Sequence, residues 1–260
     1  MKTKIKSAFV LIVAVLLSSV SLPVLAANVS SVEGLKSARV GVQSETVSET
    51  LIKDLLKGSS GEVVSFRSVF EVIDALKARK IDAAVMDESP ARYFALTETE
   101  TLRILPEPVE REYYAIAFRK GDELREKVDK ALAEIKAEGT LLNIIAKYVA
   151  SEPEPEYIDF NVGEDRPKLW VGCAASFPPY EMRDSRGFYG IDIELCAEIA
   201  KKLGMELVIA DYRFEALPDA LLEGKIDMIC SAVTVTDARK EFLDFSEPYE
   251  ANQQVIVVLK

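Results

Sequence analysis

The sequence predicts an α/β protein of two similar lobes with a ligand cleft between them, and three observations carry that reading. Short apolar runs alternate with helical repeats between residues 38 and 259, the pattern of helices layered on largely parallel sheets. The pattern breaks once, at Ser151-Glu-Pro-Glu-Pro-Glu156, and then restarts. The halves also share a local signature: Leu76-Lys-Ala-Arg-Lys-Ile-Asp-Ala-Ala84 parallels Leu222-Glu-Gly-Lys-Ile-Asp-Met-Ile229.

In the first half, Ala38 to Gln43 is a short apolar strand. Ser48 to Lys57 is helical, with Leu51, Ile52, Leu55 and Leu56 on one face and Gly58 as the stop. Val63 to Arg67 is a strand, Val69 to Ala78 a helix and Ile81 to Met86 a strand. The sequence then reads as loop until a strand at Tyr113 to Phe118. Glu123 to Ala137 places Leu124, Val128, Leu132 and Ile135 on one helical face, Gly139 breaks it, and Leu141 to Val149 follows as a short amphipathic helix. The Pro/Glu stretch makes residues 151–167 a stiff, solvated linker. After it come a strand at Lys168 to Cys173, a helix at Asp192 to Leu203 ending at Gly204, and a strand at Glu206 to Ala210. A helix at Ala216 to Leu222, a strand at Ile226 to Ser231 and a strand at Val255 to Leu259 complete the half. The units are thus 27–120, 121–150 as closing helices, the linker 151–167, and 168–260.

Residues 1–26 read as a secretory leader. Lys2, Lys4 and Lys6 precede an apolar stretch from Ser7 to Leu22, and Val24-Leu25-Ala26 suits cleavage before Ala27. The protein is therefore expected outside the cytoplasm, periplasmic or extracellular. The composition is globular, 49% hydrophobic and 29% charged. A net charge of −11 argues against nucleic acid and anionic membranes, which need a basic face. The absence of histidine removes Ser-His-Asp and Cys-His catalysis and histidine metal sites. Cys173, Cys196 and Cys230 show no C-x-x-C spacing, so no metal or cofactor is expected. They are expected buried as small hydrophobes, with a Cys173–Cys230 bridge left open.

In sheets of this kind ligands sit beyond the carboxyl ends of strands, near helix N-termini. Ser231-Ala-Val-Thr234 and Thr236-Asp-Ala-Arg239 bring hydroxyls, backbone N–H groups and a guanidinium together, which suits a carboxylate. The same residues also describe a short helix capped by Thr236 with a surface arginine. Asp87 ends a strand of the other half and suits either an ammonium or a turn. Phe177 and Phe214 suit a ligand cover or a core. Thr46 and Ser48 suit N-caps or N–H groups aimed into the cleft. Together these residues describe a receptor for a zwitterion.

Specific motifs then add a resemblance. Leu169-Trp-Val-Gly, Ser176-Phe-Pro-Pro-Tyr-Glu181, Gly187-Phe-Tyr-Gly-Ile-Asp-Ile-Glu194, Glu223-Gly-Lys-Ile-Asp227, Val233-Thr-Val-Thr-Asp-Ala-Arg239 and Phe245-Ser-Glu-Pro-Tyr249 resemble the first lobe of the polar amino-acid binding proteins of ABC importers, family 3 solute-binding proteins of the type II periplasmic fold. Arg39-Val-Gly-Val-Gln43, Lys80-Ile-Asp-Ala-Ala-Val-Met-Asp87 and Glu138-Gly-Thr-Leu-Leu-Asn-Ile-Ile-Ala-Lys-Tyr148 resemble the second lobe and closing helices. Family members run first lobe, second lobe, closing helix, whereas here the first lobe comes last. The resemblance therefore implies a circular permutation, with new ends near Lys36 and Lys260 that cut one hinge crossing. A single covalent crossing around Val109 to Phe118 would remain, with Val255 to Leu259 paired to Tyr113 to Phe118.

The resemblance implies that Arg239 holds the ligand carboxylate, helped by Thr234 and the N–H groups near Ser231 and Ala232. Asp87 would hold the ammonium, Phe177 and Phe214 would sandwich the ligand, and Thr46 and Val47 would add backbone contacts. Gln43, Glu45, Met86 and Ala174 stand at positions expected to set specificity; Ala174 replaces an aspartate common in relatives, and Glu45 a usual glycine. The implied function is capture of a polar amino acid, as a monomer, for delivery to an ABC transporter permease. The alternative is a dehydratase of prephenate or arogenate type on the same fold, with Glu181 or Glu45 as general acid. A sensor domain is a third reading, but the sequence has no signalling module beside it.

Overall fold

A computed structural model describes residues 29–97, 101–149, 157 and 166–260. The expected leader lies outside these residues, as does most of the 151–167 linker. In chain order the elements are β1 (Arg39–Gln43), α1 (Val47–Leu55), β2 (Glu62–Phe66), α2 (Val69–Lys77), β3 (Ala83–Asp87), α3 (Glu88–Thr97), β4 (Leu102–Ile104), β5 (Glu110–Tyr114), β6 (Ala117–Arg119), α4 (Leu124–Ala137) and α5 (Thr140–Val149). Then come β7 (Lys168–Cys173), β8 (Ser176–Phe177), β9 (Glu181–Asp184), β10 (Gly187–Tyr189), α6 (Ile191–Leu203), β11 (Glu206–Asp211), α7 (Leu217–Leu222), β12 (Met228–Ile229), α8 (Asp237–Lys240), β13 (Leu243–Phe245) and β14 (Glu250–Leu259).

Two sheets form two lobes. One runs β2-β1-β3-β14-β4, with β5 also paired to β14; the other runs β11-β7-β12-β6-β13. The lobes exchange strands, which corrects the expected boundaries. Ala117–Arg119, expected in the first unit, lies between β12 and β13, and Glu250–Leu259, expected in the last, lies between β3 and β4. The expected single crossing is likewise corrected. The chain passes between sheets twice, from Tyr114 to Ala117 and from Phe245 to Glu250. Both crossings lie within the described residues, so neither is cut, contrary to the expectation. Four backbone hydrogen bonds tie the seam: Ala115 N–H to Val233 O at 3.1 Å, Val235 N–H to Tyr113 O, Tyr249 N–H to Tyr114 O and Ser246 N–H to Ile116 O, each at 2.9 Å. Val255–Leu259 does not pair with Tyr113–Phe118 as expected. It pairs with Met86 through Ala84 and with Leu102–Ile104, while Glu250 and Ala251 face Tyr114 and Tyr113.

The repeated Ile-Asp signature has the same physical job in each lobe. Asp82 Oδ2 accepts the Arg39 N–H at 2.8 Å, and Asp227 Oδ2 accepts the Trp170 N–H at 2.8 Å. Each aspartate thus satisfies the start of its lobe's lead strand, whose N–H would otherwise lack a partner. Each isoleucine lies over a glycine of that strand. A Cβ on Gly41 would sit 2.2 Å from Ile81 Cδ1, and one on Gly172 would sit 2.4 Å from Ile226 Cδ1. The side chain missing at each glycine is what lets the isoleucine pack.

The stretch 88–112, expected as loop, holds α3 and two short strands. Pro90 falls in the first turn of α3, where a missing N–H does no harm. α4 and α5 pack against α6 on the lobe of β7. There Lys147 Nζ meets Glu194 at 2.8 Å and Tyr148 Oη donates to Glu194 Oε1 at 2.5 Å. The three cysteines are free and buried. Among the described residues no helix is long and apolar enough to cross a membrane.

Candidate functional site

The carboxyl ends of the inner strands of both sheets converge on one cavity between the lobes. From the lobe of β1 it receives Gln43 at the end of β1, Asp87 at the end of β3, and Thr46 and Val47 at the start of α1. From the other lobe come Ala174 after β7, Phe177 in β8, Glu181 in β9, Phe214, the segment Ser231, Ala232 and Thr234 after β12, and Arg239 in α8. Eleven sequence-selected positions therefore share one cavity with Glu181, which had been singled out only for the enzyme reading. Two positions do not line it. Met86 points into the core of its own lobe with Ala84 and Val255, and Glu45 lines the open grooves next to Arg239.

Thr46 caps α1 with a side chain that accepts from the Glu49 N–H, and its hydroxyl donates to Gln43 O at 2.7 Å. Ser48, read as a second cap, instead donates to Gln254 Oε1 at 2.6 Å. Glu45 adopts φ 61°, the left-handed region glycine favours. Thr236 caps α8 as expected, accepting from the Arg239 N–H. Arg239 Nη1 donates to Thr234 O at 2.9 Å, and Nη2 donates across the cleft to Glu45 O at 3.2 Å. Its guanidinium lies 5.5 Å from the centre of the Phe214 ring, within cation–π reach. Burial lowers the Arg239 pKa, while Asp87, Glu112 and Glu45 oppose the shift. An arginine stays charged under such a shift. Phe177 stacks on Tyr180 and packs against the cores of both lobes.

One expected contact is corrected. The Ala232 N–H, expected to face a ligand, donates to Asp192 Oδ2 at 2.7 Å, and Ala232 takes φ 45° to do so. Asp192 also accepts from Tyr249 Oη at 3.0 Å and is fully buried. Glu181 Oε1 accepts from Ser231 Oγ at 2.6 Å, and the Glu181 and Asp192 carboxyl groups lie close enough for each to act on the other's charge. Burial, and next the Asp192 charge, raise the Glu181 pKa well above the usual carboxylate range. Burial raises Asp192 to about 6 against the hydrogen bonds it accepts. A raised folded-state pKa stabilises fully below the unfolded value and is lost as pH rises through the folded one. For Asp192 that window runs from 3.8 to about 6. Asp192→Asn is expected to lose this dependence, so its stability relative to wild type should rise between about pH 4 and pH 7. Urea melts across that range check it, and a constant gap would reject the assignment.

The sequence reading missed Glu112 and Gln254. Glu112 is 4% exposed and Gln254 is 1% exposed. A faint signal existed: period-2 alternation puts Glu112 on the same face of β5 as Tyr114, opposite Arg111 and Tyr113.

Comparison with known proteins bears on one part of the chain. Residues 169–260 match the bacterial extracellular solute-binding proteins, family 3. A probable histidine-binding protein of Campylobacter jejuni is 40% identical over 92 residues, 35% of this chain and 36% of the relative. The arginine-binding extracellular protein ArtP of Bacillus subtilis is 36% identical over 93 residues, 36% of each chain. A crystal structure of the arginine-bound form of domain 1 from TmArgBP is 40% identical, covering 40% of this chain and 87% of that one, with a TM-score of 0.32. The chain spans from about a third to a half of the length of the curated relatives it matches.

Proposed function

We propose, from the match of residues 169–260 to the bacterial extracellular solute-binding proteins of family 3, that the chain captures a polar α-amino acid, without turnover, and hands it to the permease of an ABC importer. The observation that carries the reading is the opposition of charges across the cavity. Arg239 and Asp87 enter the cavity from opposite lobes, and Phe177 and Phe214 line it with them. Arg239 has five N–H donors and uses two bonds on Thr234 and Glu45, so donors remain for a ligand carboxylate. Asp87 is the acceptor for the ammonium. α1 starts at the same cavity, and its first N–H groups favour a carboxylate on that side. Gln43 and Ala174 line the rest of the space, where the ligand side chain lies. The relatives found are named as amino-acid binding proteins, which gives the dehydratase alternative no support.

The protein acts outside the cytoplasm, which the family's extracellular character and the leader-like residues 1–26 support. We further read the chain order as a circular permutation. In support, each sheet is completed by a strand from the other half of the chain: β14 lies between β3 and β4, and β6 between β12 and β13.

A thermal-shift screen of the twenty amino acids tests the function. A ligand at 100 times its Kd adds about 2.7 kcal/mol of stability, which shifts the melting temperature measurably. A positive shift with one or a few polar amino acids is the expected result. No shift with any of them overturns the ligand class.

A further inference from the structure

The carboxyl group of Glu112 lies at the seam of the two lobes, directly behind the cavity. Its Oε2 accepts from Thr234 Oγ1 at 2.7 Å, and its Oε1 accepts from Gln254 Nε2 at 2.9 Å. Gln254 Nε2 also donates to Asp87 Oδ1, and Ser48 Oγ fixes the Gln254 amide from the other end. Gln254 Nε2 thus meets one oxygen of Asp87 and one of Glu112, which sets the two carboxyl groups side by side. Two ionised carboxylates at that spacing repel each other, and one proton between them relieves the repulsion. Thr234 and Gln254 hold Glu112 in place, and Gln254 holds Asp87.

We propose that Asp87 and Glu112 share one proton until an amino acid arrives, and release it to solvent when the ligand's α-ammonium docks on Asp87, so that capture is coupled to loss of a proton. The proposal rests on the reading of Asp87 as the ammonium site. The groups facing Glu112 are Asp87 on β3, Tyr114 on its own strand, the neutral Gln254 on β14, Thr234, and Arg239 at longer range. Among these only Arg239 carries positive charge, and Thr234 O and Glu45 O share its donors. Burial first, and then the Asp87 charge, push Glu112 up to about 10, while burial raises Asp87. An ammonium on Asp87 brings a full positive charge to the pair and favours its doubly ionised form. The O–H bond of the shared proton breaks, the electron pair stays on the carboxylate, and buffer takes the proton. The unliganded protein then binds one more proton than the complex. Affinity therefore rises with pH, by about tenfold per unit where the difference is a whole proton.

The test is calorimetric titration with L-arginine, and with L-histidine, in two buffers of different ionisation enthalpy at about pH 7, where the ligand ammonium is intact. Wild type is expected to release close to one proton per ligand bound. Glu112→Gln, which keeps the shape and the Thr234 bond, is expected to release none and to bind with an affinity flat in pH. A wild-type proton count of zero overturns the proposal, as does an unchanged count in Glu112→Gln. A second arm needs no ligand. The infrared difference between unliganded wild type and Glu112→Gln at neutral pH should show the carbonyl stretch of a protonated carboxyl group; its absence also overturns the proposal. If that band is present but no amino acid binds, the function reading fails while the shared proton stands.

Discussion

Arg239→Ala is expected to weaken amino-acid binding by roughly 30- to several-thousand-fold, a loss of about 2–5 kcal/mol. The size follows from what the substitution leaves behind. A ligand carboxylate would enter a cavity lined by the acidic Asp87 and Glu181, with no cation among its lining residues to meet it. A buried charge without a partner loses its hydration and gains nothing for it. Arg239→Lys should recover only part of the loss, because an ammonium cannot make the paired N–H contacts of a guanidinium. The fold should survive either change. α8 is a four-residue helix, and Arg239 is only half-buried in it. Its contact with Glu45 O at 3.2 Å would be lost, which removes one tie across the cleft but none of the seam hydrogen bonds. Isothermal calorimetry of both variants decides the matter; affinity near wild type in Arg239→Ala would take the residue out of the site.

What could be read from the sequence was set by how far each signal extends along the chain. β1 and α6 announce themselves, because a run of apolar residues or a helical repeat is local and long enough to count. The cavity-lining positions were legible for a related reason: they follow strand ends, where the topology of parallel sheets concentrates ligands. The stretch 88–112 was not, since Pro90 and strands of three to five residues leave no periodicity to recognise. Residues 113–118 read as one strand because they are uniformly apolar and aromatic. In the fold they split at Ala115 and Ile116, whose hydrogen bonds go to Val233 and Ser246 in the other lobe. That partner choice is a property of the whole chain and leaves no local trace. Glu112 escaped for the opposite reason: a glutamate among Glu110, Arg111 and Tyr113 looks solvated. Only the approach of Thr234 and Gln254, 122 and 142 residues away, buries it.

Truncation after Gln254 is expected to abolish folding, because the lost residues form the middle of a sheet and not a tail. Val255, Ile256, Val257 and Val258 are all nearly or fully buried. Successive strand residues point to opposite faces, and here both faces are covered. Val255 and Val257 pack with Val72, Leu76 and Phe94, while Ile256 and Val258 pack with Val40, Ile52 and Leu105. Removing the strand would also unpair β3 on one side and β4 on the other, leaving buried backbone groups without partners. A single substitution grades the effect. Ile256→Ala should destabilise by about 2–5 kcal/mol, the range for deleting a buried isoleucine side chain, as measured by urea denaturation of the unliganded protein. The permutation reading adds a constructive counterpart. If chain order is all that differs from the family, joining Lys260 to the segment before β1 and reopening the chain within residues 151–167 should give a protein with the same amino-acid affinity and a comparable melting temperature. β14 would then run covalently into its own sheet neighbour's lobe, and α5 would provide the new carboxyl end. A relinked chain that folds but binds nothing would show that the present order is required for the cleft, and would sink the permutation reading.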